Sequence, residues 1–121
     1  MVRVLIVDDH LLFAEALEAI LSLDGRIQVV GRAGDGEQAV EIATELRPDV
    51  VLMDLSMPRT DGFAATRGIR EVHPDARILV LTGSAVTADV ARAREAGADG
   101  YLTKDQIADD LVLAILAAGA E

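Results

Sequence analysis

Short apolar runs alternate along this chain with longer stretches in which apolar residues recur every three or four positions. The runs fall at about 2–7, 27–33, 49–53, 77–81 and 100–103. Because they are apolar at consecutive positions, they predict strands buried on both faces. The stretches between them predict helices. In the first, Phe13, Ala16, Leu17, Ile20 and Leu21 follow the i, i+3, i+4, i+7, i+8 pattern, and Gly25 lies just past the end. In the second, Ala39, Ile42, Ala43 and Leu46 repeat it, Asp35 and Gln38 are placed as a capping box, and Pro48 stops the helix. The third, about 61–72, has a thinner stripe of Phe63, Thr66 and Ile69 and ends before Pro74.

The fourth stretch, about 86–96, offers mainly Val86, Val90 and alanines before Gly97. Few large anchors make a segment easy to shift; close packing of alanines is the competing reading. The fifth, about 105–118, sets Ile107, Leu111, Ala114 and Ile115 on one face and carries Val112, Leu113 and Leu116 off it. That surplus suits self-association, a following domain, or a helix wedged between neighbours. Strand and helix alternate five times. Right-handed crossovers then put helices on both sides of one parallel sheet, so the chain is α/β, a single doubly wound five-stranded domain over residues 1–121. The compatible strand order is the flavodoxin-like 2-1-3-4-5.

Composition narrows the function. A chain of 121 residues buries one core without staples, and no apolar run approaches the length of a membrane span. No secretory leader is visible at the start, and the absence of cysteine excludes disulfides and thiolate sites, which fits the cytoplasm. The net charge of −10 is spread over many short acidic clusters, and eleven scattered basic residues face twenty-one acidic ones. This chain alone should repel DNA, and nothing in it addresses a membrane. Ten of the eleven basic residues are arginine, so the one lysine, Lys104, stands out where a compact ammonium is wanted.

The polar exceptions cluster at the ends of the apolar runs: Asp8 and Asp9 after VRVLIV, Asp54 after DVVLM, Thr82 after ILVL and Lys104 after GYLT. In an open parallel sheet the carboxyl ends of the strands share one edge, and strands one and three are adjacent at the switch point. Asp8, Asp9 and Asp54 therefore meet in the crevice, and Thr82 and Lys104 arrive from strands four and five. Three carboxylates together repel unless a hard cation such as Mg²⁺ joins them, and an ammonium and a hydroxyl beside that ion suit a phosphoryl group. Taken singly, each has a plainer reading: Asp8 and Asp9 as a helix cap, Asp54 as a turn residue, Thr82 as an ordinary strand residue, Lys104 as solvated surface. The ensemble favours the site. His10 is read as a polar residue opening the first helix instead of a ligand, and His73 before Pro74 as a surface residue.

In order, VDDH at 7–10, LMDLSMPRTDG at 52–62, VLTGS at 80–84 and AGADGYLTKD at 96–105 resemble the receiver domain of bacterial two-component response regulators. The DDH opening and GADGYLTKD are most similar to the NarL/FixJ subfamily, and the resemblance covers essentially the whole chain. It implies that Asp54 is the phosphoacceptor, taking a phosphoryl group from a phosphohistidine on a sensor histidine kinase. It implies Mg²⁺ bound directly by Asp9 and Asp54, through water by Asp8, and by the backbone carbonyl of Ser56. It also implies that Lys104 pairs with the phosphoryl oxygens, that Thr82 bonds them once Asp54 is modified, and that Tyr101 swings inward as Thr82 moves. The output surface is then the fourth helix, fifth strand and fifth helix. Such a chain is a phosphoacceptor that promotes its own modification and hydrolysis more than a conventional enzyme. Members of the subfamily continue into a helix-turn-helix DNA-binding domain and can pair as homodimers on phosphorylation; this chain ends at Glu121 with an apolar AAGAE, as a fragment would.

The resemblance also implies that the positions of Ser56 and Ser84 influence how long the aspartyl phosphate survives; small hydroxyls there leave room for water and predict a short-lived phosphoryl state, and Arg59-Thr60 departs from the loop residues frequent in that family. Three rivals are weighed. A haloacid dehalogenase-like phosphatase wants a second acid where Ser56 stands. A nucleotide-binding domain wants a glycine-rich turn after strand one, whereas GRAGDG at 31–36 follows strand two. A constitutive interaction module on the same fold would be marked by a missing acceptor, acid or lysine, and all are present.

Overall fold

The computed structural model describes residues 1–55, 61–83 and 87–119, with the backbone alone at 87–89 and 108–109. The elements run β1 (Val2–Val7), α1 (Leu11–Ser22), β2 (Ile27–Ala33), α2 (Gly36–Leu46), β3 (Val50–Asp54), α3 (Gly62–Val72), β4 (Arg77–Thr82), α4 (Thr87–Ala96), β5 (Gly100–Thr103), a 3₁₀ turn (Lys104–Gln106) and α5 (Ile107–Gly119). The five strands form one sheet in the order β2-β1-β3-β4-β5, every pair parallel. This is the expected flavodoxin-like arrangement. Two boundaries move: Asp54 and Thr82 are the last residues of their strands, still hydrogen-bonded into the sheet, and do not lie beyond it.

Side chains alternate across each strand, which splits the core into two layers. Val4 and Ile6 of β1 join Leu17 and Leu21 of α1 and Leu111 and Ile115 of α5 on one side. Leu5 and Val7 join Ala39 and Ala43 of α2 and Ala65 and Ile69 of α3 on the other. The predicted stripe of α1 is half right. Leu17 and Leu21 are buried, but Ala14 is the third buried position, and Ala16 and Ile20 face solvent. On α5, Ile107, Leu111 and Ile115 are buried and Ala114 is half-buried; of the surplus residues, Val112 and Leu116 tuck against the core and Leu113 stays 66% exposed.

Local chemistry sets the helix ends. Asp35 caps α2 by accepting the N–H of Gln38 at 2.8 Å, and the Gln38 side chain reaches back one residue further than a capping box requires, to the N–H of Gly34 at 2.9 Å. Asp61 caps α3 through the N–H groups of Phe63 and Ala64. The side chains that anchor α4, among those described, are small: Ala93 and Ala96 are buried and Val90 is half-buried; Val86 lies outside the described residues. Its C-terminal end is nevertheless tied down. The Arg70 guanidinium donates to the carbonyls of Pro74, Ala76 and Gly97 and to the Asp99 carboxylate, which also accepts the N–H of Ile78.

His73 is a correction. It is buried, not a surface residue, and its Nε2 lies 2.8 Å from the Pro48 carbonyl. A carbonyl only accepts, so Nε2 carries the proton, and the ring seals the junction between the end of α3 and the start of β3.

Candidate functional site

Parallel strands bring the sequence-predicted residues to one edge of the sheet. β1 and β3 pair with Val7 opposite Met53, so Asp8 and Asp54 follow as neighbours. β3 and β4 pair with Asp54 opposite Leu81, and β4 and β5 pair Thr82 with Thr103, one residue before Lys104. The N–H of Asp8 donates to the Ala33 carbonyl at 2.9 Å and that of Leu55 to the Leu81 carbonyl at 3.1 Å, which carries the lattice of backbone bonds past the strand ends. Asp54 is fully buried, Asp8 and Thr82 are buried, and Asp9 is exposed.

The charges converge. One ligand atom each from Asp8, Asp9, His10 and Asp54 lies within 4.8 Å of the others. Lys104 Nζ stands 3.5 Å from Asp54 Oδ1. His10 is the N-cap residue of α1, and its N–H donates to Asp8 Oδ1 at 2.8 Å. Its ring is two-thirds exposed and leans toward Asp9, with Nδ1 3.4 Å from Oδ1. Burial pushes the Asp8 carboxyl up to about 6; the N–H of His10 pulls the other way, and the nearby Asp54 charge adds to the rise. Asp8 Oδ2 is buried and accepts no hydrogen bond from the described residues. A buried carboxylate oxygen with no donor, beside two more acids, is what a hard cation would satisfy. The donor set is all oxygen apart from the exposed imidazole, which fits Mg²⁺.

Tyr101 sits on β5 with 39% of its surface exposed, turned outward. Ser56, Arg59, Thr60 and Ser84 lie outside the described residues. One neighbour was missed from sequence. Phe13, counted as a core residue of α1, places its ring 4.7 Å from Lys104 Nζ. The available signal was its position in the first turn after the acidic pair, on the same sheet edge as the lysine.

The family profile described as the response regulator receiver domain matches residues 4–116. The chain belongs to that family. Among curated proteins, this receiver is similar to the transcriptional regulatory protein DegU of Brevibacillus brevis, 40% identical over 114 residues that cover 94% of this chain and 48% of DegU. The chain thus spans about half the length of the curated relatives it matches. Among solved structures, it is similar to the signal receiver domain of the response regulator NarL from Mycobacterium tuberculosis, with a TM-score of 0.91 and 38% identity, covering 98% of this chain and 96% of that one. A response regulator from Burkholderia pseudomallei, described as holding a phosphorylated aspartic acid, a calcium ion and citrate, is 32% identical with a TM-score of 0.81, covering 98% of this receiver and 66% of that chain. No helix among the described residues is long and apolar enough to cross a membrane.

Proposed function

We propose that this receiver is a switch in which Asp54 accepts a phosphoryl group from a phosphohistidine of a sensor histidine kinase. The observation that carries the proposal is a fully buried Asp54 held between the Asp8 carboxyl and the Lys104 ammonium at the carboxyl edge of the sheet. The phosphorylated aspartic acid of the Burkholderia relative supports the same chemistry here. An Asp54 carboxylate oxygen attacks phosphorus, the phosphorus–nitrogen bond of the donor breaks, and the imidazole nitrogen leaves with the bonding electron pair. Lys104, already 3.5 Å from Asp54, pairs with the phosphoryl oxygens and holds them over the carboxylate. Asp9 and Asp54 would hold Mg²⁺ directly, Asp8 through water, and the Ser56 carbonyl would complete the protein ligands. Bound there, the ion neutralises charge on the attacked phosphoryl group.

The modification adds a charge of about −1.5 to −2 where a carboxylate stood. Thr82, at the end of β4, turns its hydroxyl to the new oxygens, and the outward Tyr101 moves into the space that this leaves. The surface that changes is α4-β5-α5. α4, whose buried side chains among those described are only Ala93 and Ala96, and whose C-terminal end is held by Arg70, is the element that shifts at least cost. The output is a DNA-binding domain beyond this chain, with homodimerisation on phosphorylation, and the receiver is a phosphoacceptor instead of a conventional enzyme.

The test is the intact mass of the chain after incubation with Mg²⁺ and acetyl phosphate. The wild type should gain one phosphoryl group; the Mg²⁺-free sample and Asp54→Ala should not. A wild type that gains nothing, sampled within seconds of mixing, supports a constitutive interaction module instead.

A further inference from the structure

We infer that Phe13 is a positioning residue for Lys104. Lys104 is rooted in a fixed turn: the N–H of Thr103 donates to Gln106 Oε1 at 3.0 Å and the Thr103 hydroxyl to the same oxygen at 2.9 Å, which sets the backbone from which the lysine departs. Four flexible bonds separate that backbone from Nζ, and a lysine with 29% of its side chain exposed has solvent as an alternative. Two groups stand beside the ammonium itself, and the Asp8 carboxylate acts on it from further off. Asp54 Oδ1 lies 3.5 Å away and the Phe13 ring centroid 4.7 Å away. The ring belongs to the first turn of α1 and packs against the core layer under that helix, so it cannot follow the lysine outward.

An aromatic face suits this task for a chemical reason. It attracts a cation through its quadrupole but neutralises none of its charge. A carboxylate in the same place would hold the lysine equally well, yet would compete with incoming phosphoryl oxygens and add a fourth negative group to Asp8, Asp9 and Asp54. Phe13 therefore keeps the ammonium near the acceptor and leaves its full charge for the phosphoryl group. The consequence for rate rests on the phosphoacceptor reading above; the contact itself does not.

The chain has a single lysine, so lysine-selective ¹³C labelling gives one ε-CH₂ signal. Protons over an aromatic face resonate upfield, and the Lys104 signal should do so in the wild type and in Phe13→Tyr. It should return to the ordinary lysine position in Phe13→Leu, whose apolar bulk maintains the core. In parallel, the rate of phosphorylation by acetyl phosphate should fall about tenfold in Phe13→Leu and recover in Phe13→Tyr. In a Lys104→Ala background, Phe13→Leu should slow the reaction no further. A wild-type Lys104 signal at the ordinary position overturns the inference without recourse to any variant. So does a Phe13→Leu effect that persists undiminished without Lys104, since Phe13 would then act through packing alone. A wild type that takes no phosphoryl group overturns the phosphoacceptor reading, while the resonance position still decides the contact.

Discussion

Asp8→Asn should stabilise the metal-free protein at neutral pH, because the wild type keeps a carboxylate in a place that disfavours its charge. The substitution is nearly isosteric, and the asparagine oxygen can still accept the His10 N–H now bound at 2.8 Å. What it removes is the ionised form of a group pushed from 3.8 to about 6 by burial and by Asp54. At about 1.4 kcal/mol per pKa unit, that displacement is worth about 3 kcal/mol once Asp8 is ionised. For a domain of this size the gain in Tm is about 10 °C. The pH dependence has a definite sign. Because the folded-state pKa lies above the unfolded value, the folded chain binds the extra proton between pH 3.8 and about 6, and the stability this gives is lost as pH rises through about 6. The gap between Asp8→Asn and wild type should therefore be near zero at pH 3.5, open through that window and reach its full size by pH 7.5. Asp24, held at about 2 by its hydrogen bonds to Arg26, has the opposite sign and acts below that window. Thermal melts in chelator across this range measure the gap directly. Equal Tm values at pH 7.5, or a gap that does not change with pH, would refute the reasoning. Added Mg²⁺ should then raise the wild-type Tm by more than that of the variant.

Two other positions have consequences for the C-terminal end of α4. Gly97 has φ +116°, and a Cβ there would meet Arg70 Nε at 3.3 Å, so Gly97→Ala should cost about 1–2 kcal/mol in urea unfolding. Arg70→Lys should cost about 2–3 kcal/mol and raise hydrogen exchange at Gly97 through Asp99, because one ammonium cannot replace a guanidinium that serves three carbonyls and a carboxylate. An unchanged exchange rate there would show that the end of α4 is held by something else.

The sheet was legible because consecutive apolar residues leave few alternatives to a doubly buried strand, and the strand ends then placed Asp8, Asp54, Thr82 and Lys104 on one edge. The phase of α1 was not. Leu11, Leu12, Phe13, Ala14, Ala16, Leu17, Ala19, Ile20 and Leu21 are apolar nearly all round the helix, so periodicity alone cannot say which face meets β1 and α5. Packing chose Ala14, Leu17 and Leu21. His73 was misread for a related reason: a lone histidine before proline looks like a loop residue, and only the folded chain brings it to the Pro48 carbonyl, 25 residues away in sequence. Phe13 illustrates the same limit at the site. Sequence spacing identified an apolar residue, but its contact with Lys104 joins opposite ends of the chain.

The most direct test of Asp54 as acceptor is chemical mapping of the phosphorylated chain. An aspartyl phosphate is a mixed anhydride, and borohydride reduces it to the alcohol, leaving homoserine where the aspartate was. After brief treatment with acetyl phosphate and Mg²⁺, then borohydride and proteolysis, peptide sequencing should find homoserine at position 54 and nowhere else. Homoserine at position 8 or 9, or none at 54 in a chain whose intact mass had risen, would contradict the assignment.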